Sequence, residues 1–398
     1  MPSLFDIGKS GLQAYRQSLA VTGQNIANIN TDGYKKRETA LEEVTGAGGG
    51  VTEISDQTGL GVRVEDIKRA FDQFLIDKVR QTQALYQKAD TYLDEVKSLE
   101  NLLLPSDANL SNAIGEFFGS LQQIAAAPDD QAPRIISIEK GKDLAGQFNL
   151  YSDRIDNLKE KIFDKADNAI TSVNLLSNQI STINAKLLSS GSGNSSNALL
   201  DQRDLLIDQL SEVCQISVRY INKGAAQVRL GNTGSGPVIV EPESSVSAGT
   251  NQSPSTIPVN VIKQGSRLQP VVGSGNVATN QIQGGIIAGL VDAYALADDT
   301  LKEIDSLAEL LSSKFNEINM SGLNLDGKKG GQMFSVSSLE AVENPTNRSN
   351  VGVAVFVTDP NKIKSDDYNV IYNEKDDLWT LSASTLKNSV TGKETVET

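Results

Sequence analysis

Side chains able to do chemistry are thinly spread in this sequence, and the most informative fact is a missing one: its 398 residues include no histidine. The commonest general base is therefore absent, together with Ser–His and Cys–His nucleophile pairs and the commonest zinc ligand. Paired carboxylates remain as candidates for acid–base work at Asp129-Asp130, Asp298-Asp299, Asp366-Asp367 and Asp376-Asp377. Adjacent acids in turns or on a solvated helix face are the simpler explanation of all four. Asn324-Leu325-Asp326-Gly327 opens like a calcium loop but lacks the spacing that follows in one. The glycine clusters at 46–50 and 231–236 fit neither a P-loop nor a strand–GxGxxG–helix unit and are expected to be plain loops. Cys214 is the only cysteine, so no internal disulfide can form. With apolar neighbours and no histidine to activate it, it is expected to pack and not to react. No catalytic residue, no cofactor-binding residue and no metal ligand is assigned, and the chain is not expected to be an enzyme.

Bulk composition narrows the classes further. With 36 basic and 50 acidic side chains the net charge is −14, which argues against nucleic acid, because phosphate binding needs clustered Lys and Arg. No apolar run approaches the ~18 residues of a membrane span. The first 30 residues lack the basic start, apolar stretch and small-residue cleavage site of a Sec signal. Aromatics are 5 % of the chain, with a single Trp, so cores are expected to be aliphatic seams, with Trp379 a core residue of a β domain.

The elements that must position any site are mostly helical. Residues 4–29 form an amphipathic helix with Leu4, Leu12, Tyr15, Leu19, Ile26 and Ile29 near one stripe, ended by the turn residues Asn30-Thr31-Asp32-Gly33. Extended segments and a Gly46–Gly50 loop follow. A long helix is expected over 71–104 with its seam at Leu75, Val79, Thr82, Tyr86, Ala89, Leu93, Val96 and Leu103, and a shorter one over 111–127. Phe148, Tyr151, Ile155, Leu158, Ile162, Ala166, Ala169, Val173, Leu176, Ile180, Ile183 and Leu187 then recur on a 3,4 spacing, predicting a helix on the order of 60 Å long. Another helix is expected over 198–213 with Leu199, Leu206, Leu210 and Val213 inward. From Ile216 to Gln283 short apolar runs alternate with Gly, Ser, Pro and Asn, as strands between turns. A returning heptad helix follows, and the remainder is turn-rich with strand-like patches at 351–357, 368–372 and 379–381.

The fold class expected is mainly α with β-rich insertions: an elongated multi-domain helical rod of long heptad helices plus an outer β domain. Its parts are an N-terminal assembly helix and turn (1–38), a helical rod (39–215), a β-rich insertion (216–283), a returning rod helix (284–320) and an outer β domain (321–398). The N-terminal helix is set off from the bundle by loops and has no evident intramolecular partner. Only two basic groups lie along it, so a role in assembly is preferred to membrane binding.

Ser3-Leu4-Phe5-Asp6-Ile7-Gly8 and Thr22-Gly23-Gln24-Asn25-Ile26-Ala27-Asn28-Ile29-Asn30-Thr31-Asp32-Gly33-Tyr34 closely resemble the N-terminus of the flagellar axial proteins, whose rod, hook and hook-associated members share the form N-I-A-N-x-N-T-x-G-Y. Leu199-Leu200-Asp201-Gln202-Arg203-Asp204-Leu205-Leu206 and the run from Gly284-Gly285 through Phe315-Asn316 to Gly327 narrow the resemblance to the hook-associated protein 1 family. The resemblance implies a structural subunit joining hook to filament, exported through the flagellar type III channel, self-associating as a ring, with hook protein and hook-associated protein 3 as neighbours. It implies an assembly motif of Leu4, Leu12, Leu19, Asn25, Ile26, Asn28, Asn30, Thr31, Gly33 and Tyr34. Asn28, Asn30, Thr31 and Gly33 are residues that cap and turn a chain, and their turn is expected to set the angle between the first helix and the rod and to lie outside the helical bundle. Family members end in an apolar helix that pairs with the N-terminal one and carries the export-chaperone site. This chain stops in a polar Gly392–Thr398 tail, which puts inner-tube pairing and the chaperone contact in question. The rivals are another axial protein (hook-associated protein 3 or hook), a surface adhesin, and a cell-wall hydrolase needing a carboxylate pair in a groove.

Overall fold

A computed structural model describes residues 4–44, 61–104, 109–189, 194–242, 255–335, 368–373 and 378–383. The helices are α1 (Leu4–Ala27), α2 (Gln73–Leu103), α3 (Leu110–Ala126), α4 (Gln131–Ser189), α5 (Asn194–Val213) and α6 (Ile286–Ser321). The strands are β1 (Arg37–Glu43), β2 (Val62–Arg69), β3 (Ile216–Tyr220), β4 (Ala226–Leu230), β5 (Val238–Glu241), β6 (Ser255–Thr256), β7 (Val259–Gln264), β8 (Arg267–Val272), β9 (Val277–Ala278), β10 (Tyr368–Asn373) and β11 (Leu378–Ala383). The chain is thus mainly α with small sheets. Two compact units are built from non-contiguous segments: Met1–Lys88, Ala169–Asn260 and Val272–Ala288 form the first, and Ala89–Asn168, Val261–Val271 and Gly289–Thr398 the second. The Gly46–Gly50 loop, the 351–357 patch and the acid pairs at 366–367 and 376–377 lie outside the described residues.

In the first unit β1 and β2 pair as an antiparallel hairpin, and β3–β4–β5–β6 form an antiparallel sheet in that order. The C-terminal part of α4 supplies the core with Val173, Ile180 and Leu187, all fully buried. Asparagines join helices to extended backbone. Asn184, itself fully buried, donates to the Ala226 carbonyl at 2.8 Å and accepts from the Ala226 N–H at 2.9 Å. Asn174 makes the same two bonds to Val259. Each amide acts as one rung of a ladder, satisfying backbone groups that burial would otherwise orphan. The α5–α6 junction is tight: Gly285 has φ +87, and a Cβ there would fall 2.5 Å from the Val213 carbonyl oxygen. Its N–H donates to Ala84 at 2.7 Å.

In the second unit Phe117, Leu144 and Phe148 centre a core with Phe315 and Phe334, ring centroids 4.9 Å apart for Phe117–Phe315 and 5.7 Å for Phe117–Phe334. Asn316 accepts from the Met333 and Phe334 N–H groups and donates to the Phe334 carbonyl, holding the chain after α6 against that core. Asp130 begins α4, its carboxylate accepting the Ala132 N–H at 2.9 Å. Asp298 is buried against Lys159 at 2.6 Å. Burial alone would lower the Lys159 ammonium, but Asp298 outweighs it and holds the pKa above the ordinary value. Asn324 accepts from the Asp326 and Lys328 N–H groups, so the calcium-like run is an asparagine-nucleated turn.

Three expectations about buried helix faces need correction. The α2 seam is displaced: Leu75, Val79, Tyr86 and Leu93 are exposed, whereas Arg80, Ala84, Glu95 and Leu99 are buried. Hydropathy pointed to the wrong face because the buried polar groups have partners, Asp208 for Arg80 and Lys165 for Glu95. The α4 seam slips midway, with Ile170 and Ser177 buried where Ala169 and Leu176 are half-buried. A helix of 3.6 residues per turn drifts from a strict heptad, and over 59 residues the drift is visible. In α5, Leu199 and Leu206 are half-buried while Asp201, Arg203 and Asp204 lie inside. Cys214 is fully buried, and desolvation pushes its thiol up to about 12.

Candidate assembly surface: the first helix, its turn and its clamp

α1 has two faces with different tasks. Leu4, Phe5, Leu12, Tyr15, Leu19, Ile26 and Ile29 are 63–89 % exposed. The opposite face consists mostly of small or polar residues. Ala14 and Val21 are buried, and Ile7, Ser10, Ser18 and Asn25 half-buried, at helical spacing. That face lies on both strands of the hairpin. Ser10 Oγ accepts the Val62 N–H at 3.2 Å, and the Ser18 and Thr39 hydroxyls lie 2.6 Å apart. Gly61, at φ +110, permits the approach, since a Cβ there would sit 2.1 Å from Ser10 Oγ. The first helix therefore does have an intramolecular partner, reached through its small residues and not through its apolar stripe.

The turn after α1 is assembled by Asn25. Its amide donates to the Arg37 carbonyl at 2.8 Å, and its oxygen accepts from the Arg37 N–H at 3.0 Å and from the Tyr34 hydroxyl at 2.8 Å. Asn28 and Thr31 bond only locally, with Thr31 Oγ1 donating to Asn28 Oδ1 at 3.3 Å. Asn30 is exposed. Gly33 has φ +77, a region that L side chains avoid, and a Cβ on it would lie 3.0 Å from Leu205 Cβ. The turn thus packs against α5, inside the first unit, and not outside the helical core.

The motif residues form two groups. Leu4, Leu12, Leu19 and Ile26 belong to the exposed stripe, whereas Asn25, Gly33 and Tyr34 tie the turn to β1 and α5. Asn30 and Thr31 are exposed and Asn28 is half-buried.

A charged cluster beneath the turn escaped the sequence reasoning. Arg37 and Arg69 stand directly opposite on the β1–β2 ladder, a like-charge placement that destabilises a hairpin on its own. Asp201 lies against both: Arg37 Nη2 is 3.2 Å from one oxygen, and Arg69 Nε is 2.8 Å from the other, off hydrogen-bond alignment. Arg69 also reaches Asp204 at 2.5 Å, as does Arg203. The Arg203 guanidinium stacks 4.3 Å over the Tyr220 ring and donates to the Gly224 carbonyl. Tyr220 accepts from Arg80 at 3.0 Å, and Arg80 pairs with Asp208 at 2.6 Å. Burial pushes the Tyr220 hydroxyl up. Burial pulls Arg80 down, but the attraction of Tyr220 and Asp208 more than reverses it. The available signal was Asp201-x-Arg203-Asp204 between leucines on both sides, which forces charge onto an inward face.

Among the described residues no group of three or more metal-ligating side chains comes together, and no helix is long and apolar enough to cross a membrane.

A family model described as the flagellar hook-associated protein FlgK helical domain matches residues 96–334, more than half of the 398. A flagella basal body rod protein model matches residues 5–35. The flagellar hook-associated protein 1 of Salmonella typhimurium is 25 % identical over 387 residues, covering 94 % of this chain and 67 % of its own. That of Escherichia coli K12 is 24 % identical over 401 residues, covering 98 % and 70 %. That of Bacillus subtilis is 25 % identical over 357 residues, covering 84 % and 70 %. The chain thus spans about two thirds of these relatives. The solved flagellar hook junction protein FlgK of Burkholderia pseudomallei shares the fold, with TM-score 0.61 and 24 % identity over 77 % of this chain and 55 % of that one. With the helical-domain match running from α2 through α6, the chain belongs to the flagellar hook-associated protein FlgK family.

Proposed function

We propose that this chain is a structural subunit that joins hook to filament in the bacterial flagellum, serving motility without catalysing a reaction. On this reading it leaves the cell through the flagellar type III channel, self-associates as a ring, and has hook protein and hook-associated protein 3 as its axial neighbours. One observation carries the reading. α1 is anchored through its small polar face, yet it presents a continuous apolar stripe to solvent. Contiguous exposed apolar surface marks an interaction site, and a helix held at several points along its length offers that surface in one orientation.

The test is electron microscopy of cells carrying Leu12→Asp and Leu19→Asp together at the chromosomal locus. Hooks without filaments, from a protein that melts like the wild type, are expected. Filaments of normal number and length would overturn the reading. Loss of hooks would favour a different axial position.

A further inference from the structure

A dense set of charged and hydrogen-bonded contacts joins the α1–hairpin arm to α5, beside the close approach of Leu205 to Gly33. Asn197 donates to the Ile67 carbonyl at 2.8 Å, Arg37 and Arg69 share Asp201, and Arg69 continues to Asp204. Within the arm the contacts are separate and self-contained, namely the β1–β2 ladder, the Asn25 clamp and the serine contacts of α1. The rest of the first unit is likewise closed on itself through Val173, Ile180, Leu187, Leu210 and the Asn184 clamp.

We propose that Asp201, with Arg37 and Arg69, is a latch that fixes the α1–hairpin arm in one orientation on α5, and that the arm is a cooperative unit able to open while the remainder stays folded. Three features give the latch this character. Arg37 and Arg69 face each other across the ladder, so without the carboxylate between them they repel. Their guanidiniums are mostly shielded from water, so an uncompensated charge there is costly. Directional polar contacts accept one geometry, where an apolar face would tolerate sliding. Asp201 and Arg37 are then positioning residues: mostly shielded within this chain, they decide how the Leu4–Ile29 stripe is aimed. The assembly consequence rests on the reading under Proposed function; the opening of the arm does not.

Hydrogen exchange on the purified chain tests the first part. Asp201→Asn is expected to speed exchange of the β1, β2 and α1 amides by at least about tenfold, the scale of a lost charge-assisted contact. Amides of α4 and β4 are expected to keep wild-type rates. Arg37→Gln, which leaves Asp201 still paired with Arg69, is expected to give the same map with a smaller increase, and it carries the test should Asp201→Asn fail to fold. Uniform acceleration across the first unit in Arg37→Gln, or no change in the hairpin, would overturn the latch. Filament assembly by the same variants tests the second part. Increased arm opening with normal filaments would retain the latch and remove its role in aiming α1. Failure of assembly in Arg37→Gln with unchanged global melting is the expected outcome.

Discussion

α1 and α4 both carry an apolar stripe stepping by three and four residues, and the structure treats them in opposite ways. In α4, Ile155, Ile162, Val173, Ile180 and Leu187 are at most 1 % exposed, whereas the α1 stripe is at least 63 % exposed. Periodicity alone therefore reports that a helix has a face to fill and says nothing of where the filler comes from. What separates the two is the other side of each helix. α1 has a second face of Ser10, Ala14, Ser18, Val21 and Asn25, small enough to lie on a hairpin, and that face is held on β1 and β2. α4 has no such alternative, because residues opposite its seam, such as Asp153, Lys161 and Asp164, are solvated. α2 stands between them, exposing Leu75, Val79, Tyr86 and Leu93 while burying Arg80 and Glu95 with partners.

The largest effect that would break this contrast is Ile180→Asp. It places an unpaired carboxylate at a fully buried position, and the burial and packing terms together are worth about 4 kcal/mol or more. Urea denaturation of the purified chain measures this. A midpoint equal to the wild type would mean that the α4 seam is not core.

How far the fold was legible follows the same division. The long helices and the β-rich insertion were readable because Ile155 to Leu187 repeat almost cleanly and Gly, Pro and Asn punctuate the gaps. The extra length of α4 at its N-terminal end was not, since Gln131 to Gly146 mixes charge and isoleucine without a clean period; Asp130 and Ala132 reveal the start only as a capping pair. The assembly stripe was visible as a pattern. The latch was not, because its arginines and aspartates lie 132 (Arg69 to Asp201) to 164 (Arg37 to Asp201) residues apart in sequence and obey no local period.

A medium effect is expected at Gly33. Valine there would occupy φ +77 at a cost of about 1–2 kcal/mol, and its Cβ would press on Leu205. Because the turn rests on α5, the first unit is expected to lose stability measurably in the same urea titration, with Ala27 to Tyr34 amides exchanging faster. An unchanged midpoint would place the turn outside the unit and weaken the latch with it.

The smallest effect is the most discriminating, because it compares one substitution at two positions. Leu187→Ala removes a fully buried side chain from the α4 seam and is expected to cost about 2–5 kcal/mol, the range for leucine truncation in a packed core. Leu19→Ala makes the same chemical change at a residue 72 % exposed in the chain. No cavity forms there, and alanine is at least as good a helix former as leucine, so the change in unfolding free energy is expected to stay within about 0.5 kcal/mol. Both midpoints come from one titration series on purified protein. A loss at Leu19 approaching that at Leu187 would mean that the α1 stripe is buried by this chain itself in solution. The stripe would then be intramolecular core, and the surface on which the proposed assembly depends would not exist in the free subunit.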